Sequence, residues 1–547
     1  MNSLKPMLLT SLKSYDRTQF VKDVTAGIIV AIIALPLSIA LALASGVGPE
    51  AGIFTAIVAG FVISALGGSS VQIAGPTAAF ATIVAGIVAK DGLDGLVIST
   101  ILAGIFLILM GLCHFGSLIK FIPYTITTGF TSGIAVTIVI GQLKDFFGVT
   151  YPDGVKPIET TEKFKAFIEN ISTMNTAALI VGIVSLAILI ISPVIFKKIP
   201  GSLIAVIVGI LMVKFLPLKV STIGNLYTIS NSLPAFHLPA VNLHIIENAL
   251  PNAFTIAVLA AIESLLSCVV ADGMINGKHR SDMELVAQGA GNIASALFGG
   301  IPATGAIART AANIKNGGRT PVAGMVHSIT LVIVLVVLMP FAGMIPMPTI
   351  AAILFIVAYN MCQWRTFVHL IRTAPKSDII VLFATFILTI LFDLVVAIEI
   401  GMVLACLLFI KRMSEETHID GWTYVDDDTP DVDAHLKKLP LQIRVYEITG
   451  PLFFGAADAI EHIVVKDFTT CLVLRMRSVP AIDSTAMNAL FNLTKVCENK
   501  GITLVFSHVN EQPMKVMEKA GFVELVGQEN FCPNISAALA HAEEISI

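Results

Sequence analysis

Residues 299–310, GGIPATGAIART, interrupt a long apolar region with glycines and a proline. A similar interruption, QIAGPTAAF, lies at residues 72–80, and Pro76 falls on Pro302 when the second half of the chain is overlaid on the first. Short Gly/Pro-interrupted segments at corresponding places of two repeats are the best sequence indication of a binding site between those repeats. Coincidence is the alternative explanation, because glycine and proline are common in membrane helices.

The composition is that of a membrane protein. Of the 547 residues, 55% are hydrophobic and 13% are charged, and the mean hydropathy is +0.86, whereas soluble proteins carry about 25% charged residues. A bilayer core about 30 Å thick needs about 20 apolar residues per helix. We count fourteen such segments, at residues 24–46, 51–67, 75–89, 96–113, 124–142, 176–195, 202–217, 252–272, 283–298, 305–315, 321–341, 346–363, 377–393 and 394–411. The third and the tenth are too short to cross a bilayer alone.

The distribution of positive charge predicts the topology. Lys and Arg in short loops favour the cytoplasmic side of a membrane. With the N-terminal Lys5, Lys13, Arg17 and Lys22 inside, every even-numbered boundary between segments carries positive charge or none. Fourteen spans with both termini cytoplasmic fit this rule, and seven spans per repeat require inverted repeats. The first residues lack the features of a cleaved signal peptide. We expect a multi-pass protein of the cell membrane, and a bacterial inner membrane is the first candidate.

Several classes of function are disfavoured by composition and missing motifs. The net charge of −4 argues against a nucleic-acid partner, which would need concentrated basic residues. Seven scattered cysteines include no pair at metal-ligand spacing, so we expect reduced thiols, no structural metal and no cofactor. No GxGxxG or GK[ST] loop is present, which disfavours a nucleotide-driven pump. An enzyme is not expected.

The C-terminal part has a different character. After Arg412 an acidic, turn-rich segment at residues 413–437 is predicted to be a linker. Beyond it, LQIRVYEI, FTTCLVLRMR and GITLVFSHV alternate as strands do, while TAMNALFNLTKVCEN and PMKVMEKAG have helical periodicity. The predicted organisation is a cytoplasmic N-terminal segment (1–23), a transmembrane domain (24–412), this linker (413–437) and a small α/β domain (438–547).

One carboxylate lies within an apolar span. The eighth segment, AIESLLSCVVADGM, places Glu263 near its middle. An ionisable group at that depth is costly unless it faces a cavity or a partner, so it is by default a functional-site hypothesis. Ser267, one turn further along, shares its helix face. The alternative is a protonated glutamate that serves only as a hydrogen bond between helices.

The two interrupted segments predict helices that begin inside the membrane, one near Thr77 and Ala78 and the other near Gly305. Unpaired backbone N–H groups and the positive end of the helix dipole make such helix starts suitable for binding an anion. Arg309, just beyond the second start, favours a negatively charged cargo over a cation. Its alternative role is an anchor at the cytoplasmic edge of the membrane.

Glu263 is also the expected coupling group. Desolvation and a nearby anionic cargo both disfavour the ionised form of a carboxylate, so proton uptake and anion binding would favour each other. Sodium is the alternative coupling ion if Glu263 stays ionised. The apolar side chains of Ile307 and Ala308, where a hydroxyl could have bound sodium, favour protons weakly.

At these residues the chain resembles the sulfate permease (SulP) family of anion transporters over essentially its whole length. The resemblance rests on GIIVAIIALPLSIALALASGVGPEAGIFTA, QIAGPTAAF, FIPYTITTGFTSGIAVTIVIGQLKDFFG, GGIPATGAIARTAANIKNGGRTPVAGMVH and DIIVLFATFILTILFDLVVAIEIGMVLA, in this order and spacing. The last domain resembles a STAS domain. The resemblance implies an α-helical polytopic membrane protein with fourteen spans in a 7+7 inverted repeat. It also implies uracil-transporter-like core and gate domains, homodimers among membrane lipids, and an elevator-like movement of the core.

Position by position, the resemblance also implies a binding site. The substrate-binding residues would be Pro36, Ser38, Thr77, Ala78, Gly305, Ala306, Ile307 and Arg309, with Glu263 and Ser267 serving the coupling proton. Leu37 stands where many relatives have glutamine, so the polarity of the site differs there. Ile307 stands where sodium-dependent bicarbonate relatives have a hydroxyl, which argues against sodium.

In the STAS-like domain, IDSTAM places Ser484 and Thr485 at a strand-to-helix turn that resembles the phosphorylated loop of anti-sigma-factor antagonists. These two residues are candidates for a regulatory phosphosite, and the domain is a candidate surface for a cytoplasmic protein partner. Helix capping by Ser484 and Thr485 is the alternative, and it is favoured.

The leading hypothesis is a secondary active transporter of small inorganic or carboxylate anions, with proton-coupled sulfate symport by an elevator-like mechanism. Bicarbonate or a C4-dicarboxylate such as succinate is the alternative cargo, and an uncoupled exchanger or channel is the alternative mechanism. A nucleobase transporter on the same fold is a third hypothesis. Arg309 disfavours it, because a nucleobase cargo would be largely neutral.

Overall fold

The structure, a computed structural model, describes residues 4–117, 123–152, 155, 157–195, 200–216, 218–229, 232–239, 243–392, 394–422, 440, 442–457, 460, 463 and 468–546. The chain forms two compact units, Met1–Met402 and Val403–Ile547. Within the predicted linker, residues 413–422 form the end of a helix and a strand of the second unit, and residues 423–437 lie outside the described part. The remaining domain boundaries stay predictions.

The first unit consists mainly of apolar helices. They are α1 (Arg17–Ala44), α2 (Pro49–Leu66), α3 (Ala78–Leu112), α4 (Tyr124–Phe147), α5 (Thr160–Glu169), α6 (Thr176–Ile195), α7 (Gly201–Phe215), α8 (Leu243–Ile275), α9 (Ser281–Leu297), α10 (Ile307–Lys315), α11 (Val322–Ala342), α12 (Met347–Cys362), α13 (Trp364–Thr373) and α14 (Lys376–Leu391). Helix α15 (Leu394–Glu415) begins in the first unit and ends in the second. Short helices also occur at Met7–Ser11 and Ile223–Leu226. Each of the fourteen predicted segments overlaps one of the longer helices, and α5 and α13 lie between predicted spans.

Eight stretches of helix in the described residues are long and apolar enough to cross a membrane. The helical membrane fold expected from the sequence is therefore confirmed, while the count of fourteen crossings and the inverted repeat stay predictions. The third and fourth predicted segments are joined in α3, which bends at Gly92 (φ 72°, ψ −171°). Glycine has no Cβ and adopts this positive φ without steric cost.

Local sequence accounts for where the helices begin and end. The side chain of Asp16 accepts a hydrogen bond from the backbone N–H of Gln19 (2.7 Å) and so caps α1. Pro123 and Pro346, both in extended conformation, precede α4 and α12. Gly148 ends α4 in the left-handed conformation that favours glycine.

The helices of the first unit pack as two groups. In one group, α3, α8 and α9 pack together, and α11 packs against α1 and α2. In the other group, α4 packs against α12 and α14, and α6 packs against α7 and α12. Two packed groups are compatible with the core and gate domains that the family resemblance implies, and this assignment stays a prediction.

Two short extended segments cross at the centre of the first group. Strand β1 (Ala74–Gly75) pairs antiparallel with β2 (Thr304–Gly305), in the register Ala74↔Gly305 and Gly75↔Thr304. Helix α3 begins three residues after β1, and α10 begins two residues after β2. The two interrupted segments of the sequence therefore meet, and the helices that follow them start beside each other.

The second unit contains a five-stranded sheet in the order β3 (His418–Trp422), β4 (Ile443–Thr449), β5 (Cys471–Ser478), β6 (Thr503–Ser507) and β7 (Phe531–Cys532). The pair β3–β4 is antiparallel and the other pairs are parallel. Among the described residues, the helices of this unit that follow β5 are α16 (Ser484–Asn499), α17 (Glu511–Lys519), α18 (Phe522–Val526) and α19 (Ile535–Ile545). Fully buried β5 residues such as Leu472 and Leu474 form its core, as expected for a strand covered on both faces. This is the small α/β domain predicted from the sequence.

Candidate functional site

Hydrogen bonds from α10 hold the two crossing segments together. The backbone N–H of Ala306 donates to the carbonyl of Ile73 (2.9 Å), and the N–H of Ile73 donates to Oγ1 of Thr310 (3.0 Å). The side-chain amide of Asn313 donates to the carbonyl of Val71 (2.9 Å). Because these bonds satisfy the buried backbone next to β1, the non-helical segment is stable within an apolar environment.

Two helix N-termini meet at this crossing, and neither is capped by its own side chains. Thr77 occupies the N-cap position of α3 and Ala306 that of α10, and neither position makes a side-chain capping bond. The first N–H groups of a helix lack intrahelical partners and carry the positive end of the helix dipole. Ala78 is buried, whereas Ile307 is 41% exposed, so the start of α10 borders open space. Two adjacent positive helix ends make a site suited to negative charge.

Glu263 is linked to this site by a hydrogen bond from the hydroxyl of Thr77. Oγ1 of Thr77 donates a hydrogen bond to Oε2 of Glu263 (2.9 Å). As a whole residue, Glu263 is partly buried. The structure thus brings together a helix N-cap and the carboxylate that the sequence singles out.

Arg309 is almost completely buried, with 1% of its surface exposed. Its Nη2 donates to the carbonyl of Pro76 (3.2 Å) and to Oγ of Ser38 (3.4 Å), which joins the start of α3 to α1. Its Nε and Nη1 have no hydrogen-bond partner, and no carboxylate of the described residues pairs with it. A buried charge without a counter-ion is unfavourable, so this guanidinium favours a negative charge nearby.

The other expected residues have less direct positions. Pro36 is buried within α1, and Ser38 reaches the site through Arg309. Gly305 donates its N–H to Oγ of Ser264 (3.1 Å). Ser267 is buried, and its hydroxyl makes no hydrogen bond in the described part of the chain. In the described residues no side-chain hydrogen bond links Ser267 to Glu263, and the role of Ser267 in proton coupling stays a prediction.

Ser264, which follows Glu263 in the sequence, also contacts the crossing segments, although the sequence pattern did not indicate it. Ser264 is buried, and its hydroxyl lies 2.6 Å from Oγ1 of Thr304, beside β2. Its carbonyl accepts a hydrogen bond from Nε2 of Gln72 (3.2 Å), just before β1. A serine in an apolar helix is too common to be singled out by pattern, so only the structure identifies this link between α8 and both strands.

A polar face of α9 is the second overlooked feature. Glu284 accepts from the side chains of Gln72 (3.0 Å) and Gln288 (2.9 Å) and from the N–H groups of Gly68 and Ser69. Further along α9, the amide of Asn292 bonds both backbone groups of Ala303, before β2. The spacing of Glu284, Gln288 and Asn292, four residues apart within a predicted span, was the available sequence signal. Helix α9 thus holds both crossing segments.

A cavity of about 630 Å³ lies between the two groups of helices. One wall contains Thr82, in the second turn of α3, and Thr255, on the helix that carries Glu263; the other contains Thr137 of α4. Lys90 and Lys163 also line it. Lys163 belongs to α5, outside the membrane spans, and burial lowers the pKa of its ammonium. In the described residues neither lysine makes an ion pair, although Asp91 and Glu159 also border the cavity.

In the second unit, the turn at IDSTAM is capped by a residue that the sequence analysis did not choose. Asp483 is the N-cap of α16, and its Oδ1 accepts from the N–H groups of Thr485 and Ala486. Helix capping by Ser484 and Thr485 is therefore wrong, because a carboxylate one residue earlier already accepts these bonds. Both hydroxyl residues are exposed. A regulatory phosphosite there stays a prediction.

No group of three or more His, Cys, Asp and Glu side chains arranged to hold a metal occurs in the described residues.

Two family models match the chain. The model of the sulfate permease family matches residues 20–385, and the model of the STAS domain matches residues 437–538. The first match contains β1, β2 and every residue of the site described above. The second contains β4 to β7 and the start of α19, and it leaves out β3.

The chain is similar along nearly its whole length to named bacterial transporters. It is 39% identical over 530 residues to YvdB of Bacillus subtilis (strain 168), a protein provisionally named as a sulfate transporter, with 95% of this chain and 97% of that protein covered. It is 31% identical over 538 residues to the bicarbonate transporter BicA of Picosynechococcus sp. (strain ATCC 27264 / PCC 7002 / PR-6), with 95% and 94% covered.

The solved structure of SLC26A9 has the same fold. It superimposes with a TM-score of 0.88 over 99% of this chain and 93% of that one, at 19% sequence identity. At this identity the likeness concerns the fold alone.

Proposed function

Because the chain belongs to the sulfate permease family, we propose that it is a secondary active transporter of small anions, in its specific form a proton-coupled sulfate symporter that moves by an elevator-like mechanism. It is a multi-pass membrane transporter fold with a STAS domain. The relative named as a sulfate transporter supports sulfate as the first cargo to test.

One observation carries the proposal of a negative cargo. The antiparallel register of Ala74 with Gly305 places the N-termini of α3 and α10 together, and Arg309 lies buried beside them without a carboxylate partner in the described residues. Each helix end contributes about half a positive charge. A small oxyanion could accept hydrogen bonds from the free N–H groups while it balances the guanidinium.

Proton coupling is supported by the contact of Glu263 with Thr77. An anion bound at the start of α3 would lie near Glu263, since Thr77 precedes the first helical residue. The two negative charges would repel each other, so cargo binding favours a protonated Glu263. Cargo and proton would then cross the membrane together.

Elevator-like movement is supported by the way the helices group. The site belongs to the group that contains α1, α3, α8 and α10, and the cavity separates part of this group from α4 and α14. A rigid displacement of the site-bearing group along the gate would move the anion across the membrane without unfolding the crossing segments. The homodimer, the lipid contacts and the cytoplasmic position of both termini belong to the same proposal.

Bicarbonate is the second candidate cargo, because BicA, 31% identical to this chain, is named for it. A C4-dicarboxylate is a third. Uptake of labelled sulfate, bicarbonate and succinate into proteoliposomes, with and without an inward proton gradient, decides among them. Sulfate accumulation that requires the gradient supports the proposal. Equilibration of the anion without a proton gradient would favour an exchanger or a channel over a symporter. Absence of uptake for all three anions would refute the proposed anion transport.

A further inference from the structure

Glu284 is a fully buried carboxylate that has no role in the proton coupling proposed above. It lies in the first turn of α9 and has 0% of its surface exposed. Its Oε2 accepts from the N–H groups of Gly68 (2.9 Å) and Ser69 (3.2 Å). Its Oε1 accepts from Nε2 of Gln72 (3.0 Å) and of Gln288 (2.9 Å). Every one of these partners is an N–H donor.

Such a set of partners suits a side chain that accepts hydrogen bonds at both of its oxygens, as a carboxylate does. The four bonds come from two backbone N–H groups and two side-chain amides, so they tie the carboxylate of α9 both to the turn at Gly68 and Ser69 and to Gln72. Because all these atoms are buried, loss of one bond leaves a polar group without a partner and is costly.

The bond to Gln72 connects Glu284 to the anion site. The Nε2 of Gln72 also donates to the carbonyl of Ser264 (3.2 Å), whose hydroxyl accepts the N–H of Gly305 (3.1 Å). A Cβ added to Gly305 would lie 2.0 Å from the same Nε2. The amide of Gln72 therefore fills the space against β2, and its position sets how closely β1 and β2 approach.

We propose that Glu284 is a positioning residue of the anion site: a buried carboxylate whose four hydrogen bonds fix Gln72 and the segment before β1, and thereby the distance between the two helix N-termini. This inference rests on the proposed function in naming an anion as the ligand. Glu284 does not touch the cargo and does not carry the coupling proton.

The test compares Glu284→Gln with Gln72→Glu and with the double variant Q72E/E284Q. In E284Q one carboxylate oxygen becomes an NH2 group, so the two N–H donors that it served lose their acceptor. In Q72E two carboxylates face each other. The double variant restores a carboxylate–amide pair. Glu50→Gln is the matched control, because Glu50 is also a first-turn carboxylate, of α2, and lies outside this network.

We expect E284Q to raise the KM for sulfate uptake at least about tenfold with a smaller change in maximal rate, since the cargo groups are displaced and not removed. The double variant should have a lower KM than either single variant, and E50Q should behave as wild type. Additive defects in the double variant would overturn the proposal, as would an E284Q protein with unchanged KM. If E284Q fails to fold, a double variant that folds and transports supports the proposal, and one that also fails refutes it.

Hydrogen exchange separates this inference from the proposed function. In detergent-solubilised E284Q without any anion, we expect faster amide exchange in residues 68–78 than in wild type, with the second unit unchanged. Unaltered exchange in that segment would refute the positioning role. This measurement does not need transport, so it stands even if the wild-type protein carries none of the tested anions.

Discussion

Gly305→Ala is the most direct test of the crossing between β1 and β2. The added Cβ would lie 2.0 Å from Nε2 of Gln72, whereas ordinary contact begins near 3.4 Å. The amide of Gln72 must move away, and it then loses its bonds to Glu284 and to the carbonyl of Ser264. A hydrogen bond to a charged group contributes about 1.5–3 kcal/mol and a neutral one about 0.5–1.5 kcal/mol. The expected loss is therefore about 2–4 kcal/mol.

Part of this lost free energy should appear as lower stability of the protein, and part as weaker binding of the anion. Because each 1.4 kcal/mol corresponds to about a factor of ten, we expect G305A to raise the KM for the anion at least about tenfold and to lower the Tm in detergent. Uptake into proteoliposomes and thermal unfolding with and without sulfate measure the two parts. The control is Gly273→Ala in α8, where an added Cβ meets nothing within 4 Å. Alanine there should be neutral or stabilise the helix by up to about 1 kcal/mol.

A G305A protein with the KM and Tm of wild type would refute the reasoning. It would mean that the two segments separate without cost, and that the close approach of the helix N-termini does not set anion affinity. A G273A protein as defective as G305A would show that the assay responds to any glycine replacement.

Three further predictions concern charge. Arg309→Ala should weaken sulfate binding at least about tenfold, measured as the loss of the sulfate-induced rise in Tm, because it removes the buried positive charge; unchanged affinity would exclude Arg309 from the site. Glu263→Gln should retain part of the anion binding and of anion-for-anion exchange but abolish accumulation driven by a proton gradient, and gradient-driven accumulation at the wild-type level would eliminate the coupling role. Lys163→Gln should raise the KM for anions that enter from the cavity side. Because burial lowers the pKa of Lys163, the wild-type side chain loses its charge at a lower pH than an ordinary lysine does. The difference in KM between wild type and variant should therefore disappear at a lower pH as well. Lys165→Gln, on the same helix but away from the cavity lining, is its control and should leave this KM unchanged.

The helical fold was predictable because the features that determine it are local. Apolar length defines the spans, and the alternation after residue 438 defines the α/β domain; the fold and the family are both confirmed. The meeting of the two interrupted segments was also open to inference, since Gly75 and Gly305 lie in repeated Gly/Pro patterns. The break at Gly92 lies between the predicted segments 75–89 and 96–113, so it too agrees with the sequence.

The hydrogen-bond network around the site could not be predicted in the same way. Glu284 and Gln72 are separated by more than 200 residues, and their contact depends on the register of packed helices, which no local pattern encodes. The same holds for Ser264 and Thr304. At the start of α16 the sequence analysis named Ser484 and Thr485 as caps, whereas the backbone geometry makes Asp483 the N-cap.

Glu263 and Glu284 differ in the partners that hold them. The described partner of Glu263 is the hydroxyl of Thr77, and a hydroxyl can donate to an ionised carboxylate or accept from a protonated one. That contact therefore survives proton transfer. Glu284 is instead held by four N–H groups, which belong to Gly68, Ser69, Gln72 and Gln288. Glu263 can thus gain and lose a proton while the helix N-termini stay in place, because the hydrogen bonds that position them are made by a different residue.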